Sequence, residues 1–422
     1  MKINQRSLKK SDELWQRAQD TILSGCQLYS KGPETHIKGV SPIYIDHGKD
    51  GHVWDPDGNE YIDYDMGLGP ILLGYQYKAV DDAVMAQLRR GMGYSLVAPE
   101  EVEYAELCVK HIPSAGKVRF LKTGSSATEA AVRIARCYTG RKHIVRGEYH
   151  GWHEWTTAAE SVRQGGILPE VRQFVHKFDY NDLAKVEEYF ETYKGEIAAV
   201  ITEAVEVEPP KEGFLEQLKE LCHRNGALLI FDEVVNGFRF SIGGAQAYFG
   251  VTPDLSTFGK AAANGMPLSI VAGRKDIMEC ISPLGGVYQA GTLSGNPIAV
   301  AAGLKTLEII QREGFYENLT ARTEQLVKGF QTAANKAGVA FTADSVGGMF
   351  GLYFSGSLPQ NYADMAASNI EAFKTFFHGM LDRNTAFGPS AYEAGFVSAA
   401  HTPELIDETI AVAHEVFKEM AK

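Results

Sequence analysis

Cysteine is scarce in this sequence and unpaired in its spacing. The five cysteines of the 422-residue chain are scattered and never form a Cys-X-X-Cys pair, so neither a zinc site nor a disulfide framework is indicated. The chain also has no run of about 18 apolar residues, the length that a membrane span needs. Its N-terminus, MKINQRSLKKSDELWQRAQ, is charged and lacks the apolar core of a signal peptide. We therefore expect a cytoplasmic protein that binds no membrane.

Acidic residues outnumber basic residues in this sequence. Lysine and arginine number 41 against 53 aspartates and glutamates, a formal net charge of −12, which argues against a nucleic-acid backbone as partner. Apolar residues make up 45% and charged residues 22%, as in ordinary soluble globular proteins. These values favour a folded chain that acts on small molecules.

No repeat, charge block or Ser/Pro-rich linker marks a domain boundary, so the organisation is inferred from the order of the predicted elements. Residues 52–64, HVWDPDGNEYIDY, predict two short strands joined by an Asp-Pro-Asp-Gly turn. From about residue 100, short apolar strands alternate with amphipathic helices, which predicts a mainly parallel sheet covered by helices. We predict an α/β protein in which residues 66–312 form a large domain, while the segments 1–65 and 313–422 build a smaller α+β domain.

The stretch KTGSSATEA (122–130) places a Gly-Ser-Ser turn between a strand and a helix. Free amides at a helix N-terminus, next to a glycine that permits close approach, suit a phosphate group. The simpler interpretation is a serine that caps the helix. From these residues alone both interpretations stay open.

The apolar strand in ALLIFDEVVNGFR (227–239) delivers Asp232 and Glu233 to its end. A carboxylate buried there needs a cation or a proton donor to offset its desolvation. Capping of the next loop, or a metal ligand, are the alternatives. We expect no metal, because no cluster of histidine and aspartate with ligand spacing lies nearby.

Two further stretches of the sequence contain candidate functional residues. GEYHGWHEW (147–155) presents aromatic rings just past a predicted strand, where they belong either to the core or to a stack on a flat ligand. LSTFGKAAANGMPLS (255–269) holds Lys260 among small residues; a buried lysine loses its proton and can form a Schiff base, whereas most lysines are exposed. Taken together, a phosphate seat, a buried carboxylate, an aromatic face and a lysine are what pyridoxal 5′-phosphate (PLP) requires.

At these residues the sequence resembles the class III, fold type I PLP-dependent aminotransferases, and within them the glutamate-1-semialdehyde 2,1-aminomutase-like group. The resemblance covers nearly the whole chain, including VWDPDGNEYIDY, LLIFDEV, TPDLSTFGK and QAGTLSGNP. It implies an enzyme that moves an amino group from a donor amino acid to a keto or aldehyde acceptor, through a Schiff base on Lys260 and a pyridoxamine phosphate intermediate.

The resemblance also implies roles for individual residues. Lys260 would hold the cofactor and carry the proton during transfer, and Asp232 would pair with the pyridinium nitrogen. Tyr149 would stack on the ring, with Val234 on its opposite face. The remaining positions implied at the cofactor are Gly124 and Ser125 at the phosphate, His150 in support of the stacking tyrosine, Glu203 near the ring edge, and Thr292, which would reach the phosphate across a homodimer interface.

The sequence departs from the aminomutase pattern on the substrate side. Leu68 in GLGP stands where the aminomutases carry a tryptophan, SKGPETHIKG lacks their arginine, and the segment after Trp155 is shorter than their gating loop. Thr123 to Ala127 read TGSSA instead of the usual SGTEA, which preserves the backbone donors. We therefore favour transfer between two molecules, that is, an aminotransferase. The aminomutase is the second hypothesis, a PLP-dependent decarboxylase or racemase the third, and a non-enzymatic binding protein the last.

Overall fold

The computed structural model describes residues 6–36, 39–159, 164–206 and 208–422. Its strands are β1 (His47–Lys49), β2 (His52–Trp54), β3 (Glu60–Asp63), β4 (Lys117–Leu121), β5 (His143–Arg146), β6 (Val175–Lys177), β7 (Ile197–Thr202), β8 (Leu228–Glu233), β9 (Leu255–Phe258), β10 (Ser269–Gly273), β11 (Thr342–Val346), β12 (Met349–Tyr353), β13 (Thr385–Ala386) and β14 (Gly395–Phe396).

The helices are α1 (Lys9–Gln19), α2 (Lys78–Arg90), α3 (Pro99–His111), α4 (Gly124–Thr139), α5 (Glu154–Thr157), α6 (Pro169–Arg172), α7 (Leu183–Thr192), α8 (Phe214–Arg224), α9 (Gly244–Phe249), α10 (Lys275–Met278), α11 (Pro297–Ile310), α12 (Phe315–Ala337), α13 (Tyr362–Ala366), α14 (Ile370–Leu381) and α15 (Pro403–Met420). Within the described ranges, none of these helices is both long enough and apolar enough to cross a bilayer.

The chain divides into two compact units, Met1–Tyr77 with Gly314–Lys422, and Lys78–Glu313. The first unit contains a four-stranded sheet of order β1-β2-β3-β13 and a three-stranded sheet of order β11-β12-β14. Strands β2 and β3 pair antiparallel, and the Gly58 amide donates to the Asp55 carbonyl at 3.0 Å within their turn. The predicted pair of short strands is thereby confirmed.

Residues 66–77 belong to this first unit, whereas the order of the predicted elements places them at the start of the large domain, 66–312. Two hydrogen bonds join the Tyr75 backbone to that of Asp50, and the Ala399 amide donates to the Leu72 carbonyl at 2.9 Å. These bonds between residues far apart in the sequence tie the segment to the β1–β2 turn and to the C-terminal region.

The second unit is built on a seven-stranded sheet of order β4-β10-β9-β8-β7-β5-β6. Strand β10 runs antiparallel to both of its neighbours, β4 and β9, while the pairs from β9 to β6 are all parallel. This is the mainly parallel sheet of a fold type I protein, as predicted. Because β4 and β9 both run against β10, the carboxyl ends of six strands lie at the same edge.

Helix α4 packs against this sheet through small side chains. Ala127, Ala131 and Ala135 are fully buried, in one apolar cluster with Ile201 of β7 and Ile230 of β8. Alanine at three positions of one helical face lets the helix lie close to the sheet. The packing therefore fixes the N-terminus of α4 at the edge where the strands end.

Candidate active site

The candidate residues follow the carboxyl ends of parallel strands. Gly124 lies just after β4, Tyr149 after β5, Glu203 after β7, Asp232 near the end of β8 and Lys260 after β9. Open α/β sheets bind their ligands outside this edge. The sheet thus gathers five segments that are far apart in the sequence.

The turn before α4 is a capped helix N-terminus. The Thr123 hydroxyl accepts a hydrogen bond from the Ser126 amide at 3.2 Å, as a helix cap does. A Cβ at Gly124 would lie 2.6 Å from Cγ1 of Val234. Glycine is therefore required, because Val234 packs directly over the turn. The cap is a threonine and leaves the Gly124 and Ser125 amides at the exposed end of the helix dipole.

Asp232 is 3% exposed and receives three hydrogen bonds. His150 Nδ1 donates to Oδ2 at 2.8 Å, while the Val234 amide and the Thr257 hydroxyl donate to Oδ1, each at 3.0 Å. Three donors compensate the burial of the carboxylate and fix its plane. The resemblance implies that His150 supports Tyr149, whereas in the structure His150 orients Asp232.

Glu233, which follows Asp232 in the sequence, directs its side chain to the start of α9. Its carboxylate accepts from the Ala245 and Gln246 amides at the start of α9 and from the Gln246 side chain. Burial raises the pKa of Glu233 to about 7. The pair of acidic residues is therefore divided: Asp232 belongs to the site, and Glu233 caps a helix.

Tyr149 lies on a loop held to α4. The Thr128 hydroxyl donates to the His150 carbonyl at 2.8 Å, and the Trp152 amide donates to the Ser125 hydroxyl at 3.3 Å. Tyr149 itself is 68% exposed. Partial burial of its phenol, and next the charge of Asp232, raise the pKa of Tyr149, which places the ring near that carboxylate.

Glu203 is bound by Asn236, whose side-chain amide donates to Oε2 at 3.2 Å. Burial raises the pKa of Glu203 well above its ordinary value; the negative charge of Asp232 raises it further, and Lys260 lowers it. The Glu203 carboxyl thus lies within electrostatic reach of both Asp232 and Lys260, and these three predicted residues share one site.

Lys260 begins a short 3-10 turn, Lys260–Ala263, directly after β9. Its φ is +41°, a left-handed conformation that costs a non-glycine residue about 1–3 kcal/mol and is concentrated at functional sites. The next three alanines are fully buried. The backbone is therefore strained at the lysine that the sequence singled out as the Schiff-base residue.

Thr292 is exposed in the segment between β10 and α11. A Cβ at the preceding Gly291 would lie 3.2 Å from the Lys122 ammonium nitrogen, so this segment approaches the end of β4. Its contact with the phosphate of a second chain stays a prediction.

Two members of the site were missed from the sequence. Thr257 lies opposite Asp232 in the β8–β9 register, and this pairing of the two strands is the signal that could have identified it. Asn236 gave no signal, because its contact with Glu203 depends on a turn after β8. Within the described ranges there is no cluster of three metal-ligand side chains.

Comparison with known proteins identifies the family. Residues 35–385 match the family described as aminotransferase class-III. A protein of Neisseria meningitidis serogroup B named glutamate-1-semialdehyde 2,1-aminomutase is 54% identical over 398 residues, covering 91% of this chain and 93% of that protein.

Two solved structures are similar over nearly their whole length. One is an omega-transaminase from Sphaerobacter thermophilus (TM-score 0.88, 24% identity, 97% of each chain covered). The other is the PLP internal aldimine form of the Sphingopyxis sp. FumI protein (TM-score 0.87, 27% identity, 97% of this chain and 96% of that chain covered). With the sheet, the strand-end site and these matches in agreement, the chain belongs to the class-III aminotransferase family.

Proposed function

We propose that this chain transfers amino groups with the help of PLP bound at the strand-end site, and that Lys260 is the residue to which the cofactor is attached. The observation that carries this proposal is the convergence of Lys260, Asp232 and Glu203 in one electrostatically linked site. A lysine in a strained conformation, in one site with a carboxylate that accepts three hydrogen bonds, fits a Schiff-base lysine with its ring anion.

The residues present fit this cofactor. The Gly124 position has no room for a Cβ, so backbone amides rather than a side chain face the phosphate seat. The Asp232 carboxylate accepts three hydrogen bonds, and its negative charge would pair with a protonated ring nitrogen. When bound, PLP supplies an aldehyde that takes up the amino group and a ring that accepts electrons from the neighbouring carbon.

The chain's own groups have distinct tasks. Lys260 would tether the cofactor and then move the proton on the reacting carbon. Asp232, oriented by His150 and Thr257, would keep the ring nitrogen protonated. Tyr149, whose side chain is exposed, would cover one ring face.

Around the ring, Val234 would pack on the face opposite Tyr149, because its side chain lies over the α4 turn. The Gly124 and Ser125 amides would bind the phosphate at the positive end of the helix dipole. Glu203 would lie at the ring edge, where burial raises its pKa well above the ordinary value of a glutamate.

The relatives favour an intramolecular reaction. A protein 54% identical to this chain is named for moving an amino group from carbon 2 to carbon 1 of glutamate-1-semialdehyde. We place this substrate first on the strength of that likeness, and we keep transfer between two molecules as the second candidate. Leu68 and the short segment after Trp155 support the second candidate, because they differ from the aminomutase pattern in the sequence.

One experiment separates these reactions. The protein is loaded with PLP and mixed with glutamate-1-semialdehyde or with single amino acids, and the products and the amino form of the cofactor are measured. An aminomutase returns the amino group to the same carbon skeleton, whereas an aminotransferase releases a keto acid and leaves the cofactor in its amino form. Carbon dioxide, or inversion without a keto acid, would contradict both.

The exposed apolar side chains of the second unit support a homodimer. Leu96, Val97, Leu284 and Tyr288 are each at least 69% exposed, and Thr292 is also exposed. Exposed apolar groups in such number indicate a protein interface. We propose that a second copy covers them and that Thr292 reaches the partner's phosphate site. Light scattering of the purified protein tests this: a monomer at micromolar concentration would contradict it.

A cytoplasmic location remains part of the proposal. The five cysteines are all free thiols in the structure, which fits a reducing compartment. Alkylation of intact cells with a membrane-impermeant thiol reagent should leave the exposed Cys137 unlabelled.

A further inference from the structure

Two of the five cysteines are neighbours in space, although they are far apart in the sequence. Cys137 lies in the last turn of α4 and is exposed, and Cys280 follows α10 and is half-buried. The two thiols lie within hydrogen-bonding distance of each other. The proposed function gives neither residue a task, since α4 presents the phosphate turn at its opposite end.

A hydrogen-bonded junction between α4 and α10 brings the two cysteines together. The Tyr138 hydroxyl donates to Asp276 Oδ2 at 2.8 Å. The Arg274 guanidinium donates to the same carboxylate oxygen at 2.7 Å and to the Tyr138 hydroxyl at 3.2 Å. Tyr138 is the residue after Cys137, and backbone hydrogen bonds continue the turn of α10 as far as Cys280, one helical turn after Asp276. The junction therefore places the two thiols side by side.

An apolar cluster fixes both segments beneath the thiols. Ile134 of α4, Ile277 of α10 and Ile281 are each at most 4% exposed and belong to one cluster, and Cys280 packs against it. Ile134 lies one helical turn before Cys137, and Ile277 lies one turn before Cys280. Since packed interiors resist displacement, the approach of the two sulfur atoms is set by the core of the second unit.

The two thiols differ in access and in reactivity. Burial, and next the neighbouring Cys137 thiol, raise the pKa of Cys280 to about 11. Because the thiolate is the nucleophile, Cys280 reacts poorly with a reagent in solution, whereas the exposed Cys137 is reached directly. An exposed thiol next to a second one that can resolve its oxidised form is the arrangement of redox-sensitive cysteines.

We propose that Cys137 and Cys280 form a reversible disulfide within one chain, with a small organic disulfide as the oxidant, and that this bond staples the end of α4 to the segment after α10. A reducing compartment keeps the pair as the free thiols that the structure contains. The disulfide forms when the pool of small thiols becomes oxidised.

The reaction is a pair of thiol–disulfide exchanges. The Cys137 thiolate attacks one sulfur of the small disulfide, whose S–S bond breaks, and one small thiol leaves. Cys280 gives its proton to water and attacks the Cys137 sulfur of the mixed disulfide, and the second small thiol leaves. The two protein thiols lose two electrons, which the small disulfide gains. Excess small thiol reverses both steps.

Peptide mapping of the full-length protein tests the proposal. The reduced protein is incubated with oxidised glutathione and digested without reduction, and the peptides are identified by mass spectrometry. The wild type should give one linked pair of peptides, joined through Cys137 and Cys280. In Cys280→Ser the reaction should stop at a mixed disulfide of Cys137 with glutathione. In Cys137→Ser, Cys280 should remain a thiol over the time in which the wild type is fully oxidised.

The matched control is Cys26→Ser, which removes another half-buried cysteine, one whose thiol donates to the Leu28 carbonyl at 3.4 Å. This variant should retain the linked peptides. A wild type that ends as the mixed disulfide, or that links two chains through Cys137, would overturn the proposal. If a serine variant fails to fold by circular dichroism, the peptide map of the wild type still decides.

Unfolding in urea provides a second readout. The disulfide would close a loop of about 140 residues, which restricts the unfolded chain. The midpoint of unfolding of the oxidised wild type should therefore move to higher urea and return when excess reduced glutathione is added. Cys280→Ser, treated in the same way, should show no shift. An unchanged midpoint in the oxidised wild type would overturn the stapling of the two segments. Neither readout requires amino transfer, so failure of the proposed function would leave both results standing.

Discussion

Replacement of Asp232 by asparagine and by alanine should separate the charge of this residue from its structural role. In Asp232→Ala, the three donors from His150, Val234 and Thr257 lose their acceptor. A buried donor without an acceptor costs about 1–3 kcal/mol. Because the Thr257 hydroxyl can rotate and His150 can change tautomer, we expect a loss of about 3–5 kcal/mol in the free energy of unfolding.

In Asp232→Asn, the amide oxygen still accepts from the Val234 amide and the Thr257 hydroxyl, and the amide NH2 can donate to a neutral His150. We expect a loss of about 1 kcal/mol in stability, but a fall of about 10²–10³-fold in kcat for amino transfer, as when one preorganised charge partner is removed. Urea unfolding of the cofactor-free variants and steady-state rates of the loaded ones measure the two effects. Equal stability of the two variants, or asparagine activity within threefold of wild type, would refute the reasoning.

Three further predictions concern the phosphate turn, pH and the dimer. Gly124→Ala should weaken PLP binding, measured by absorbance titration, because its Cβ would lie 2.6 Å from Val234 Cγ1 and overpack the turn by about 1–3 kcal/mol; added Val234→Ala should restore binding. Burial raises the pKa of Glu233 to about 7, so the stability that the protonated Glu233 contributes is complete below pH 4.5 and is lost as pH rises to 7. Urea unfolding at pH 5 and pH 8 measures this loss. Glu233→Gln, which cannot ionise, should reduce the loss by about 3 kcal/mol. Thr292→Ala and Lys260→Ala chains are mixed in equal amounts; if each pocket takes Lys260 from one chain and Thr292 from the other, every mixed dimer has one intact pocket and one pocket that lacks both residues. Random pairing makes half of the dimers mixed, so recovery to about a quarter of wild-type activity is expected, and no recovery would contradict a shared site.

The sequence predicted the sheet and the residues at its edge because these depend on local patterns. Short apolar strands such as 228–231 end in polar residues, and parallel strands bring those ends together. The predicted pairing of Asp232 and Lys260 in one site therefore required only the direction of β8 and β9.

The contacts that cross between segments could not be predicted in this way. His150 and Asp232 are 82 residues apart, and no periodicity signals which of the two neighbours, Tyr149 or Asp232, the imidazole supports. The boundary between the two units after Tyr77 depends on backbone hydrogen bonds between Tyr75 and Asp50. The amino-acid composition of these segments does not reveal such bonds.

The most direct test of the proposed function is to identify the lysine to which PLP becomes attached. The protein is incubated with PLP, reduced with borohydride and digested, and the labelled peptide is identified by mass spectrometry. We predict a single residue labelled with reduced PLP, Lys260, and no labelled residue in Lys260→Ala. A label on another lysine, or amino transfer that persists in Lys260→Ala at the wild-type rate, would contradict it.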